Sequence, residues 1–245
     1  MTRDPQFFVT DYWYHIFNRG VEKRIIFLDN KDHERFIFHL FECNNEERVL
    51  DTPFSKRKKK IEIEIGSPTS AKHKRKLLVD IICFVLMPNH FHILLRQRQD
   101  KGISLFMQKV CTAYAKYFNK KYSRIGSLFQ GNFQARLVEK NEYFNYLFYY
   151  ILTNPIEIIE KEWKEKGIKN YFKVKKFLQT YKWSSLQDFF NKPFIPFLVD
   201  QNAIFEIFGQ PKEFEIFIDA LLENKTNKIL FNKFNEKLFC ELSIE

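Results

Sequence analysis

The chain is short of the residues that break and bend a backbone. Its 245 residues include only 7 glycines and 8 prolines, which argues against a loop-rich all-β protein. Cysteine is scarce as well. Cys43, Cys83, Cys111 and Cys240 form no CxxC pair, so their spacing fits neither a zinc ribbon nor a disulfide framework, and four reduced, mostly buried thiols are expected. No apolar run approaches the roughly 20 residues of a membrane span. The opening MTRDPQFFVT lacks the charged-then-apolar order of a secretory signal. A cytoplasmic protein without a membrane partner is therefore expected. Acidic charge is also in deficit: 30 Asp and Glu face 40 Lys and Arg, a net charge of +10. A balance of that size points to a polyanion, either nucleic acid or an anionic surface.

Aromatic and aliphatic residues are plentiful. Phenylalanine alone contributes 29 residues, and hydrophobic types make up 45%. That is enough apolar surface for one sizeable core, or for one domain with an appendage, so a folded chain rather than a disordered one is expected.

The hydrophobic periodicity gives an order of elements. DYWYHIFNR (11–19) reads as a strand running into Gly20. Asp29 or Asn30 caps a helix carrying Phe36, Ile37, Leu40 and Phe41 at helical spacing. Residues 45–76 change character, with SKRKKK, GSPTS and KHKRK and no sustained period; they read as an exposed, mobile basic insertion. Leu77 to Leu86 is a buried strand, Met87-Pro88-Asn89 a turn, and His90 to Arg96 the returning strand. A helix follows over 102–122, then a turn and strand over 126–139, then a helix over 141–153. The first six elements have the β-α-β-β-α-β order of a ferredoxin-like fold. From about residue 155 the chain reads as mostly helical, including YKWSSLQDFF (181–190). The expected fold is thus α+β: an antiparallel sheet with helices on one face, residues 1–190, followed by a helical C-terminal extension, residues 191–245.

MPNHFHILLR (87–96) carries the chemistry. Side chains alternate along a strand, so His90 and His92 share a face while Phe91 points away. Two imidazoles on one face can share a divalent ion, although an HxH pair alone is a weak signal. In EYFNYLFYYILTNP, Tyr150 and Asn154 lie four apart and so fall on one helical face, which Pro155 terminates. An amide oxygen from Asn154 can complete a two-imidazole, one-oxygen site with open positions, with Tyr150 one turn back. Tyr143, Tyr146, Leu147 and Tyr150 also have the spacing of an ordinary core stripe, and on spacing alone a core role for Tyr150 is favoured.

Separated blocks settle the choice. YHIFNRG (14–20), MPNHFH, SLFQGNF (127–133), YYILTNP (149–155) and YKWSS (181–185) occur in the order seen in the REP-associated tyrosine transposases, which the chain resembles over roughly residues 11–190. These are HUH single-strand DNA nucleases with one catalytic tyrosine. The resemblance implies that His90 and His92 are the HUH pair and Tyr150 the nucleophile. Asn154 takes the family's metal-ligand position. It further implies a Mg²⁺ or Mn²⁺ cofactor, single-stranded or hairpin DNA as partner, and cleavage and strand transfer through a 5′-phosphotyrosine. Arg19, Lys23, Arg24, Lys120, Lys121, Arg124 and Arg136 fall in regions that border the site and grip DNA in that family. The insertion at 45–76 is longer than the family leads one to expect.

Rival readings are set against this one. A ferredoxin-like module that holds structured DNA or RNA without cutting it needs basic patches but neither HxH nor Tyr-x-x-x-Asn. A two-histidine phosphodiesterase needs a second His-x-Ser/Thr motif, which the sequence lacks. A cupin-like metal enzyme needs further ligands, for which His15, His33, His39 and His73 are not placed. A monomer is favoured over a homodimer, because no strand or helix reads as a dimer seam.

Overall fold

The computed structural model describes residues 8–47, 53–59, 75–139, 141–189, 194–196, 198–203, 219 and 222. Four strands, β1 (Trp13–Arg19), β2 (Val79–Met87), β3 (His90–Gln97) and β4 (Gln134–Val138), form one antiparallel sheet in the order β2-β3-β1-β4. Between them run α1 (Asn30–Glu42) and α2 (Gly102–Lys121), and after β4 comes α3 (Asn141–Thr153). This is the expected ferredoxin-like order, with strand alternation dividing the core into two layers.

On one layer, Phe91 of β3 meets Phe36 of α1 at 4.9 Å, and Phe36 meets Tyr114 of α2 at 5.0 Å. The paired helices α1 and α2 therefore cover the face of the sheet expected to carry helices. α3 crosses the opposite face, where Trp13 packs on Phe144 at 5.3 Å, so the sheet lies between helical layers. α1 begins where the sequence places it. Asp29 accepts from the backbone of Asp32 while the Asp32 carboxylate accepts from the backbone of Asp29, a reciprocal cap that satisfies two otherwise orphaned amides.

Two regions depart from the sequence reading. Part of the basic insertion is ordered: residues 54–59 are helical, Arg57 pairs with Glu42 of α1 at 2.9 Å, and the Arg35 guanidinium stacks on the Phe54 ring. Residues 48–52 and 60–74 of that insertion lie outside the described residues. YKWSS is not helical: it is a turn that meets β2 through a single antiparallel bridge, Ser184 to Val85. Ser185 donates its amide to Phe84 O at 3.0 Å, Phe84 N donates to Ser185 Oγ at 2.9 Å, and Leu86 N donates to Trp183 O at 2.8 Å. The segment lies along the outer side of β2 and pairs its otherwise open edge.

Beyond α3 come four short helices: α4 (Ile156–Ile159), α5 (Trp163–Lys166), α6 (Tyr171–Thr180) and α7 (Leu186–Phe189). Most of the expected extension at 191–245 lies outside the described residues. No described helix is long and apolar enough to cross a membrane. Cys43 and Cys83 are buried free thiols, Cys111 is a half-buried one, and Cys240 is outside the described residues. Burial pushes the Cys43 and Cys111 thiols up to about 12, which makes them poor nucleophiles.

Candidate active site

The site begins at a hairpin. Pro88 and Asn89 form the turn between β2 and β3, so Met87 pairs with His90 and the alternation of β3 starts at His90 itself. His90 and His92 emerge toward α3, with their ring centroids 5.0 Å apart. Nδ1 of His90 lies 2.7 Å from Oδ1 of Asn89. An amide oxygen only accepts, so Nδ1 carries the proton and Nε2 keeps the lone pair. Nδ1 of His92 lies 2.9 Å from Nε2 of His15 on the neighbouring strand.

α3 lies across this face. Tyr150 sets its ring against His92, with centroids 5.5 Å apart and planes at 78°. Tyr146, one turn earlier, stacks on Tyr150 at 6.1 Å. Asn154 follows the last residue of α3 and is 1% exposed. Its amide lies near enough to His90 to raise that imidazole slightly, yet its Oδ1 has no aligned hydrogen-bond donor among the described residues. A buried carbonyl oxygen left in this condition is costly unless something else satisfies it.

Lys164, from α5, completes the surroundings. Its side chain is 5% exposed, its ammonium pairs with Glu157 at 3.1 Å, and it lies 5.2 Å from the centre of the Tyr150 ring.

Burial dominates the electrostatics. It depresses the His90 imidazole to about 4, helped by the charges of Lys164 and Arg19 and opposed by the Asn154 amide. His92 is held well below its ordinary value by burial, then by His90, His15 and Lys164. His15, fully buried and opposite Arg136 on β4, is lowered to about 3, first by burial and then by that guanidinium. All three rings are therefore neutral at physiological pH.

Neutral imidazoles and an unsatisfied amide oxygen are groups that a divalent cation can use, provided each ring turns a lone pair toward it. Among the described residues, no group of three His, Cys, Asp or Glu side chains is arranged to hold a metal. A cation at this site would rest on His90, His92 and Asn154, leaving positions for phosphate and water oxygens.

The basic residues singled out from the sequence divide into distinct groups. Arg19 stands opposite His90 in the β1–β3 register and hydrogen-bonds Gln130, while Arg136 stands opposite His15. Lys23 and Arg24 lie in and just after the turn that follows β1. Lys120 is exposed on the last turn of α2, and Arg124 bonds Asn119 at 3.1 Å just beyond it. Lys121 has a different role. Its ammonium bridges Asp29 and Asp32 at 2.7 Å each, tying the end of α2 to the start of α1.

Sequence reasoning missed three members of the site. Asn89 was read only as a turn residue, and Lys164 only as part of a charged stretch. His15 was set aside as misplaced, yet the strand register brings it into contact with His92. The alternation of WYHIF was a usable signal, since His15 and Phe17 share a face and Phe17 pairs with His92. Of the other histidines, His33 stacks on Trp183 at 4.6 Å and His39 pairs with Glu42 at 2.9 Å, both in the packing around α1. His73 lies outside the described residues.

Comparison with known proteins gives one solved structure and one family match. No curated protein matches the chain. Among solved structures, a REP-associated tyrosine transposase bound to a REP hairpin is similar at 11% identity and a TM-score of 0.46, covering 82% of this chain and 92% of that one. The family described as IS200-like transposases matches over residues 34–154. That matched span, just under half of the chain, holds the β2–β3 hairpin with both histidines, the helix with Tyr150, and Asn154.

Proposed function

We propose that this chain cuts and rejoins single-stranded DNA next to a hairpin, with Tyr150 as nucleophile and a Mg²⁺ or Mn²⁺ held by His90, His92 and Asn154. One observation carries the reading: two neutral imidazoles, an unsatisfied amide oxygen and a tyrosine ring share one largely buried cluster within the span that matches the transposase family, with His90 at its half-buried edge. When bound, the cation polarises the scissile phosphate and neutralises charge developing on it.

The protein's own groups do the rest. Burial keeps the imidazole lone pairs from being lost to protonation, and Asn89 orients His90. The Tyr150 oxygen attacks phosphorus, forming a P–O bond to the phenol while the bond to the 3′ oxygen breaks. The phenol proton leaves, the departing 3′ oxygen gains one, and the products are a 5′-phosphotyrosine and a free 3′-OH. Phosphodiester energy is retained, so the same step in reverse rejoins the strand. The Lys164 ammonium beside the ring favours the phenolate during attack. Arg19, Lys23, Arg24, Lys120, Arg124 and Arg136 supply phosphate contacts, which set affinity and register rather than sequence choice. Lys121, engaged by two carboxylates, is left out of that set.

The test is incubation with end-labelled single-stranded hairpin DNA and Mn²⁺, followed by a denaturing gel. The wild-type protein should form a covalent adduct that maps to Tyr150. Tyr150→Phe removes one oxygen and keeps the ring; it should bind the hairpin and form no adduct. Tyr149→Phe should keep most of the activity. An adduct on another tyrosine overturns the assignment. Tight hairpin binding with no adduct in the wild-type protein would favour a non-catalytic DNA- or RNA-binding module instead.

A further inference from the structure

His15 stands outside the ligand set just described, yet it hydrogen-bonds the ring of His92. Nε2 of His15 and Nδ1 of His92 are 2.9 Å apart, and the two rings stack at 5.0 Å with planes 27° apart. Phe17 packs against the pair, with its ring centroid 4.9 Å from that of His15 and 5.9 Å from that of His92. His15 is fully buried, and its Nδ1 has no hydrogen-bond partner among the described residues.

A neutral imidazole carries a single N–H, so one ring donates and the other accepts. If His15 donates, the lone pair on Nδ1 of His92 is used, Nε2 of His92 holds the proton, and neither nitrogen can bind a cation. If His92 donates, its Nε2 is left with the lone pair. The second arrangement reproduces at His92 what Asn89 does at His90, where an acceptor also occupies Nδ1. Nε2 of His15 is engaged in either case, so His15 does not serve as a third ligand through that atom.

Resting on the metal reading above, we propose that His15 is a positioning residue: by accepting from Nδ1–H of His92 it fixes the tautomer whose Nε2 binds the cation. A carboxylate usually performs this duty for a metal-bound histidine. Here a neutral ring performs it, on a strand face where Arg136 is the cross-strand neighbour.

The test reads metal binding rather than turnover. Mn²⁺ is titrated into the full chain without DNA, following the free-ion EPR signal, for the wild type, His15→Phe, His15→Gln and His90→Ala. Phe keeps a buried ring without an acceptor, whereas Gln carries an oxygen to about the reach of Nε2. Loss of such an outer contact weakens metal binding by about 10- to 100-fold, so His15→Phe should fall in that range and His15→Gln within about three-fold of wild type. Equal affinity of His15→Phe and wild type overturns the inference, as does a Gln variant as weak as Phe. A wild type that binds no better than His90→Ala overturns the metal reading itself. A second measurement needs no variant. In a long-range ¹⁵N–¹H spectrum of the Mg²⁺-saturated wild-type protein, His92 should carry its proton on Nδ1, and a proton on Nε2 refutes the proposal.

Discussion

Individual residues in this protein are tuned chiefly by what burial does to charge. Lys164 is the sharpest case, an ammonium 5% exposed beside the catalytic candidate Tyr150 and acting on both histidines. Such a charge favours a phenolate but disfavours a divalent cation. Lys164→Met should therefore slow adduct formation by about ten-fold or more while tightening Mn²⁺ binding by a few-fold. Parallel rate and titration measurements check this, and an unchanged rate removes the electrostatic role. Asp188 shows burial acting on a carboxyl, raising it to about 7. In the unfolded chain Asp188 ionises near 4, so the native state holds an extra proton between about pH 4 and 7 and loses stability as pH rises across that window. Asp188→Asn lacks this penalty. It should match wild type near pH 4 and gain on it up to about pH 7, by at most about 4 kcal/mol and then level off. Urea melts at pH 4.5 and pH 8 measure the difference. Neither residue announced itself in the sequence, because a lysine or aspartate in a polar helical stretch gives no sign of its burial. Tyr150, His90 and His92 were legible because strand and helix periodicities, together with a run of separated blocks, fixed their faces.

Elements were legible in proportion to their regularity. The helix over Asn141–Thr153 was read with its observed bounds, and the β2–β3 hairpin within a residue or two, because both have strong apolar patterns and clear stops at Pro155 and Pro88. The segment 181–185 was misread because its role is non-local: nothing in YKWSS reveals a partner about a hundred residues earlier. It makes both a main-chain and a side-chain bond to Phe84. Ser185→Ala leaves the buried Phe84 N–H without its acceptor, which should destabilise the protein by about 1–3 kcal/mol. For a protein of this size that corresponds to a fall in Tm of about 2–4 °C per kcal/mol, readable by thermal denaturation. The insertion shows the same lesson in miniature, since Arg57 and Phe54 gain order only from contacts with α1.

At the scale of the whole molecule the excess of basic charge is unevenly employed. Arg19 and Arg136 stand on strands beside the histidines, while Lys121 is closed off between two aspartates. Hairpin affinity measured across a salt series separates these roles. Each lost phosphate contact lowers the slope of log affinity against log salt by about 0.7–0.9, so Arg136→Ala should flatten it by roughly that amount. Lys121→Ala should leave the slope unchanged and lower Tm, because it cuts the tie between α1 and α2. The net charge was visible in the composition; which cations are committed internally depends on the fold.

The pairing along β2 also has a consequence in time. Phe84 and Ser185 are 101 residues apart. At 5–20 residues per second, the ribosome needs roughly 5–20 s to reach one from the other. The histidine hairpin and the Tyr150 helix are both synthesised within that interval. A nascent chain can therefore assemble the site while one border of its sheet is still bare, and during that time a neighbouring nascent chain can pair there in place of its own later segment.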